Sequence, residues 1–149
     1  MAKLMFDSIL VVCTGNICRS PIGERILRKK LPNKRIDSAG TGALVDHMAD
    51  ASAIKVAGEH GLSLQGHKGR QFNSNIARDY DLILVMEKTH LEQIGKIAPE
   101  ARGKTMLFGH WINKRDIPDP YRKSEEAFIS VYNLIEQAAN GWVEKLDSK

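Results

Sequence analysis

The six-residue run Ser8–Cys13 (SILVVC) is apolar, β-branched and without polar alternation. That is the pattern of a strand covered on both faces in a parallel sheet, not of one with a wet side. Leu82–Met86 (LILVM) repeats it, and Arg35–Ala39 and Thr105–Phe108 read as two shorter strands. Helical patterns lie between them. Ser20 as N-cap and Pro21 as first helical residue open a segment whose Ile22, Ile26 and Leu27 share a face to about Lys30. Asp50–His60 forms a helix closed by Gly61 at C′, and Leu91, Ile94 and Ile97 mark another that stops before Pro99. Gly61–Arg70 is a connection carrying a short strand or turn. Ser124 caps a final helix whose stripe of Phe128, Val131, Tyr132, Ile135, Ala138, Ala139, Trp142 and Leu146 docks on the sheet.

Strands alternating with helices predict an α/β fold, a three-layer αβα arrangement around a central parallel sheet of about four strands. A length of 149 residues fits one domain, 1–149, with a core of its own. In such folds ligands bind beyond the carboxyl ends of the strands, and the first such end is Cys13.

Composition narrows the function classes. The 42% hydrophobic and 27% charged residues belong to an ordinary globular chain. The start lacks the apolar core and cleavage site of a signal peptide, and no stretch is long and apolar enough to span a bilayer. The expected location is the cytoplasm, without membrane insertion. A net charge of +4 favours anionic partners. Nucleic acid is not expected, because the basic residues are scattered and not interleaved with aromatics. The two cysteines, Cys13 and Cys18, form no disulfide framework, and the five histidines show no zinc spacing. Neither metal nor cofactor is expected. Gly40-Thr41-Gly42 imitates the start of a dinucleotide fingerprint, but Val45 stands where its third glycine is needed.

The chemistry is concentrated in Cys13-Thr14-Gly15-Asn16-Ile17-Cys18-Arg19-Ser20, between the first strand and the first helix. Successive backbone N–H groups of a tight loop at a helix N-terminus form a concave anion site. Such a site takes a phosphate dianion and favours a thiolate at its base. Gly15 is expected to let the backbone turn inward. Arg19 supplies a planar fork for two phosphoryl oxygens, which Lys cannot reproduce. A thiolate in line with the leaving oxygen can displace it and form phosphocysteine. The leaving group then needs a proton. Gly109–Lys123 has no regular period and contains Pro118 and Pro120, so it reads as a stiff loop, and Asp119 on it is the expected acid. Asp116 is its nearby rival. Tyr121 and Leu44 are candidates for the pocket rim.

A buried strand, this loop, a helix and the later Asp-Pro-Tyr segment together resemble the low-molecular-weight protein tyrosine phosphatase family, over nearly the whole chain. Within it the chain looks most like the bacterial exopolysaccharide-associated type. The resemblance implies Cys13 as nucleophile, Arg19 as phosphate and transition-state ligand, and Asp119 as the acid that later activates water. Ser20 would help hold the thiolate, and Thr14, Gly15, Asn16, Ile17 and Cys18 would line the substrate loop. Asn16 would be fixed by a polar network that includes Ser38 and His67. Cys18 would be placed to form a disulfide that spares Cys13 from over-oxidation. Animal members carry a bulky aromatic where this chain has Leu44, and a second Tyr where it has Arg122. The implied substrate is a tyrosine-phosphorylated protein, specifically a membrane tyrosine autokinase with a tyrosine-rich cytoplasmic tail that governs capsule or exopolysaccharide export.

Two other readings share these residues. An arsenate reductase of the same fold also uses a loop cysteine and an oxyanion, but thioredoxin-coupled members need downstream cysteines, absent after Cys18. A phosphate- or phosphoprotein-binding module without catalysis would not need Asp119.

Overall fold

The computed structural model describes residues 6–146. Residues 1–5 and 147–149, which the single-domain expectation includes, lie outside the described residues. Four strands, β1 (Ser8–Cys13), β2 (Arg35–Gly40), β3 (Leu82–Val85) and β4 (Thr105–Leu107), form one sheet in the order β2-β1-β3-β4. Every pairing is parallel, with Val11 opposite Ser38 on one side and Leu84 on the other.

The apolar runs explain why this sheet is buried on both sides. Successive strand residues point to opposite faces. Ile9, Val11 and Cys13 of β1 and Leu82 and Leu84 of β3 belong to the core shared with α1 (Arg19–Lys30), α2 (Ala51–Glu59) and α5 (Glu125–Leu146). Leu10, Val12, Ile83 and Val85 point into a second core with Ile94 of α4 (Lys88–Ile97), Ala77 of α3 (Ser74–Ala77) and Ala101 of a 3-10 turn, Pro99–Lys104. The three-layer architecture follows from those two alternating sets.

The caps decide the helix limits. Asp50 accepts from the N–H groups of Ser52 and Ala53 at the start of α2, and Gly61, at φ +74°, follows its end in the left-handed conformation that glycine adopts without a Cβ clash. Ser124 accepts from Ala127 N–H at the start of α5. The whole expected apolar stripe of α5 is buried. It packs beside α1 and α2 and, with them, into the core formed by Ile9 and Val11 of β1 and Leu82 and Leu84 of β3, so it docks on the sheet as expected. Trp142, fully buried, donates its indole N–H to the Phe108 carbonyl at 2.9 Å, so its polar end is satisfied inside the core. Truncating such a tryptophan costs about 3–5 kcal/mol.

One helix limit is corrected. Helix α1 starts at Arg19 with Cys18 in the N-cap position, not at Pro21 behind Ser20. Ser20 does not cap because its hydroxyl is engaged with Cys13. Helix α3 and the 3-10 turn were not expected, since neither is long enough to show an apolar period. No described helix is long and apolar enough to cross a membrane.

Candidate active site

The chain leaves β1 to reach α1 on one side of the sheet, and β3 returns on the other side of β1. A crevice therefore opens beyond the carboxyl ends of β1 and β3. There a cavity of about 340 Å³ is lined by Cys13, Thr14, Gly15, Ile17, Cys18 and Arg19 from the first loop, and by Leu44 and Gly42 after β2. Asp119, Tyr121 and Arg122 close it from the loop before α5. The three residues expected to do chemistry, Cys13, Arg19 and Asp119, are brought together.

Directions of proton donation around the sulfur follow from the partners. Asn16 Nδ2 donates to Ser20 Oγ at 2.7 Å, so the Ser20 hydroxyl has its own proton to give to Cys13 Sγ, 2.9 Å away. Asn16 N–H also donates to Sγ, at 3.3 Å. Two donors thus converge on the sulfur from behind the loop. Cys18 differs: burial, with the nearby Asp50 charge, pushes its thiol up from the ordinary cysteine range, which keeps it protonated.

The loop turns at Asn16, whose φ of 59° is left-handed, and not at Gly15. A non-glycine residue there carries strain of order 1–3 kcal/mol and needs its surroundings to hold it. They do so on every polar atom. Asn16 Nδ2 also donates to Ser38 Oγ at 3.0 Å, which in turn donates to the buried Glu24 carboxylate at 2.8 Å. Arg70 N–H donates to Asn16 Oδ1, and His67 Nε2 donates to the Asn16 carbonyl. Burial lowers the His67 pKa against the opposing effect of that bond, consistent with a neutral ring. Ser38 and His67 thus stand in the supporting positions expected of them. The side chains of Asn16 and Ser20 are fully buried behind the loop.

Strand β2 packs against the same loop. A Cβ on Gly40 would lie 2.3 Å from the Thr14 carbonyl oxygen, so no side chain fits there without moving the loop backbone.

Arg19 is 1% exposed. Its Nη1 donates to Glu87 Oε2 at 2.5 Å and to the Ile117 carbonyl at 2.8 Å, and its Nη2 lies 3.8 Å from Asp119 Oδ2. The guanidinium is therefore fixed from behind while it borders the cavity. Asp119 Oδ1 accepts from Tyr121 N–H at 3.0 Å, which turns the other oxygen toward Arg19. Asp116 is occupied elsewhere, accepting from Lys88 N–H at the start of α4.

Glu87, His90 and Glu24 were missed in the sequence. Glu87 and His90 cap α4 reciprocally: the Glu87 carboxylate accepts from His90 N–H, and His90 Nδ1 accepts from Glu87 N–H at 3.1 Å. A ring accepting at Nδ1 carries its proton on Nε2, which donates to Thr14 Oγ1 at 2.9 Å and leaves the threonine proton free for an anion in the cavity. Burial, reinforced by the Arg19 charge, pushes the His90 pKa down from 6.5 to about 4. The unfolded chain binds that proton near pH 6.5 and the folded chain does not. His90 therefore contributes stability above about pH 6.5 that is lost as pH falls toward 4. We expect the urea midpoint to fall between pH 7 and pH 4.5, and His90→Asn to fall less. Equal declines in both chains would refute the assignment.

Residues 8–149 match the family described as low molecular weight phosphotyrosine protein phosphatase. The chain belongs to that family. The phosphatase Etp of Escherichia coli strain K12 is 60% identical over 146 residues, which are 98% of this chain and 99% of Etp. The tyrosine phosphatase Wzb of Escherichia coli K30, solved in complex with sulphate, superposes with a TM-score of 0.94 at 70% identity, covering 95% of this chain and 99% of Wzb. Wzb of Vibrio vulnificus, in complex with benzylphosphonate, gives 0.93 at 56% identity, over 95% of this chain and 99% of that one. Within this phosphatase family the chain is of the Wzb/Etp type, as its motifs implied.

Proposed function

We propose that this enzyme hydrolyses phosphotyrosine on proteins through a phosphocysteine formed on Cys13. The observation that carries the reading is the convergence of Cys13, Arg19 and Asp119 on one cavity, with the sulfur beneath and the carboxylate at the rim. The phosphoryl oxygens sit against the loop N–H groups and Arg19, which meet the charge of the transition state. Sulfur attacks phosphorus, the bond from phosphorus to the tyrosine oxygen breaks, and Asp119 gives its proton to that oxygen. Asp119 next takes a proton from water. The water oxygen attacks phosphorus, and the thiolate departs toward the Ser20 hydroxyl. Asp119 is 47% exposed on its side chain, so water reaches it.

Aryl selectivity rests on depth. Ile17, Leu44 and Tyr121 wall the cavity above the sulfur, and a long aryl phosphate reaches down where a short phosphoserine does not. The sulphate and benzylphosphonate complexes of the two Wzb relatives support an oxyanion in this loop, the second with an aromatic ring attached. The physiological substrate in this reading is the cytoplasmic tail of a membrane tyrosine autokinase that governs capsule or exopolysaccharide export. Rapid acid quench of a phosphotyrosine peptide reaction, followed by mass spectrometry, should find a phosphoryl adduct on Cys13. Turnover with no adduct at any time would reject the covalent route, and equal rates on phosphotyrosine and phosphoserine peptides would reject the selectivity.

A further inference from the structure

Of the two cations that line the catalytic cavity, Arg19 is buried and already held by Glu87, the Ile117 carbonyl and Asp119. The other, Arg122, is exposed, and no carboxylate among the described residues lies within 4.0 Å of it. Its guanidinium sits over the Tyr121 ring, 5.2 Å from the centroid.

The backbone beneath it is unusual. Lys123 N–H donates to the Pro120 carbonyl at 2.9 Å, closing a turn in which Arg122 is the third residue, with φ 62°. Positive φ at that place is the conformation of type II turns, which favour glycine or asparagine there. An arginine in it is disfavoured by the backbone, and such outliers cluster at sites where the side chain has a task. Here the turn lifts a cation onto the rim and the Tyr121 face supports it. Stacking of this kind limits the orientations of a guanidinium without neutralising it.

Building on the phosphotyrosine reading, we propose that Arg122 is a specificity-determining residue that binds a second anionic group next to the phosphotyrosine. With the phosphoryl group on the loop and the ring between Leu44 and Tyr121, the peptide backbone emerges at the rim beside Arg122. The recognised chemistry is a carboxylate or a further phosphoryl group on a neighbouring residue. Asp119 belongs to the same rim and repels such a group, so only anions reaching the Arg122 side are favoured. An exposed pair of unit charges supports a preference of about two- to fivefold, and a doubly charged phosphoryl group a larger one.

The test compares four phosphotyrosine peptides that differ at one adjacent position: Ala, Glu, Lys and phosphoserine. The wild-type kcat/KM should rank phosphoserine above Glu, Glu above Ala and Ala above Lys, mainly through KM, and 0.5 M salt should compress the series. A preference for Glu without one for phosphoserine would assign the ligand as a carboxylate, and the reverse would assign it as phosphoryl. Arg122→Ala should flatten the ranking, Arg122→Lys should keep most of it, and Arg122→Glu should invert it in favour of the Lys peptide. Affinities measured on Cys13→Ser, alone and combined with each Arg122 substitution, read the same preference without turnover. Failure of the wild type to hydrolyse any of the four peptides would count against the phosphotyrosine reading, whereas an unranked wild type, or a ranking that survives Arg122→Ala and Arg122→Glu, overturns the role of Arg122.

Discussion

Cys13→Ser is expected to abolish turnover of p-nitrophenyl phosphate and phosphotyrosine peptides, by about 10⁴-fold or more, while the folded chain still binds phosphate. A serine hydroxyl at the same place fits the space and keeps contacts with Asn16 N–H and Ser20. It is not ionised near neutral pH, so the donors beneath it no longer favour a nucleophile. The anion cradle is otherwise untouched, because its N–H groups and Arg19 are fixed by Asn16 and Glu87 and not by the sulfur. Steady-state assays with phosphate titration by calorimetry separate the two effects. Retention of wild-type turnover would end the covalent mechanism, and loss of phosphate affinity together with folding would show that the cysteine is structural.

Asp119 gives the second large effect. Asp119→Asn keeps an oxygen for the Tyr121 N–H and so keeps the turn, but removes the proton donor. We expect turnover of phosphotyrosine to fall by about 10²- to 10⁴-fold, and Asp119→Ala to fall at least as far. The loss should be smaller with p-nitrophenyl phosphate, whose leaving group departs without a proton. A loss independent of leaving-group basicity would remove Asp119 from the role of acid and leave it as a partner of Arg19.

The sheet, four of the five α-helices and the three residues that meet at the cavity were legible because their signals are local. Ser8–Cys13 announces a doubly covered strand by its own composition, and Asp50 and Gly61 announce a helix by chemistry at its two ends. The Cys13–Arg19 segment carries its whole logic in eight consecutive residues. What stayed hidden depends on which strands become neighbours. Glu87 meets Arg19 only because β3 lies beside β1, and its pairing with His90 departs from the usual Ser/Thr to Glu/Gln capping pattern. Glu24 looks like one more polar residue of α1 until Ser38 of β2 is set against it. The N-cap of α1 was misplaced for a related reason: Ser20 has the right chemistry for a cap, but a thiol seven residues earlier claims its hydroxyl first.

Glu87 also ties two parts of the molecule into one. A single carboxylate closes the first turn of α4 and anchors the guanidinium that borders the cavity. Helix termini fray at small cost, well before a sheet opens. Each opening of that first turn removes one of the arginine's anchors, so the order of the cavity wall is tied to the end of one short helix.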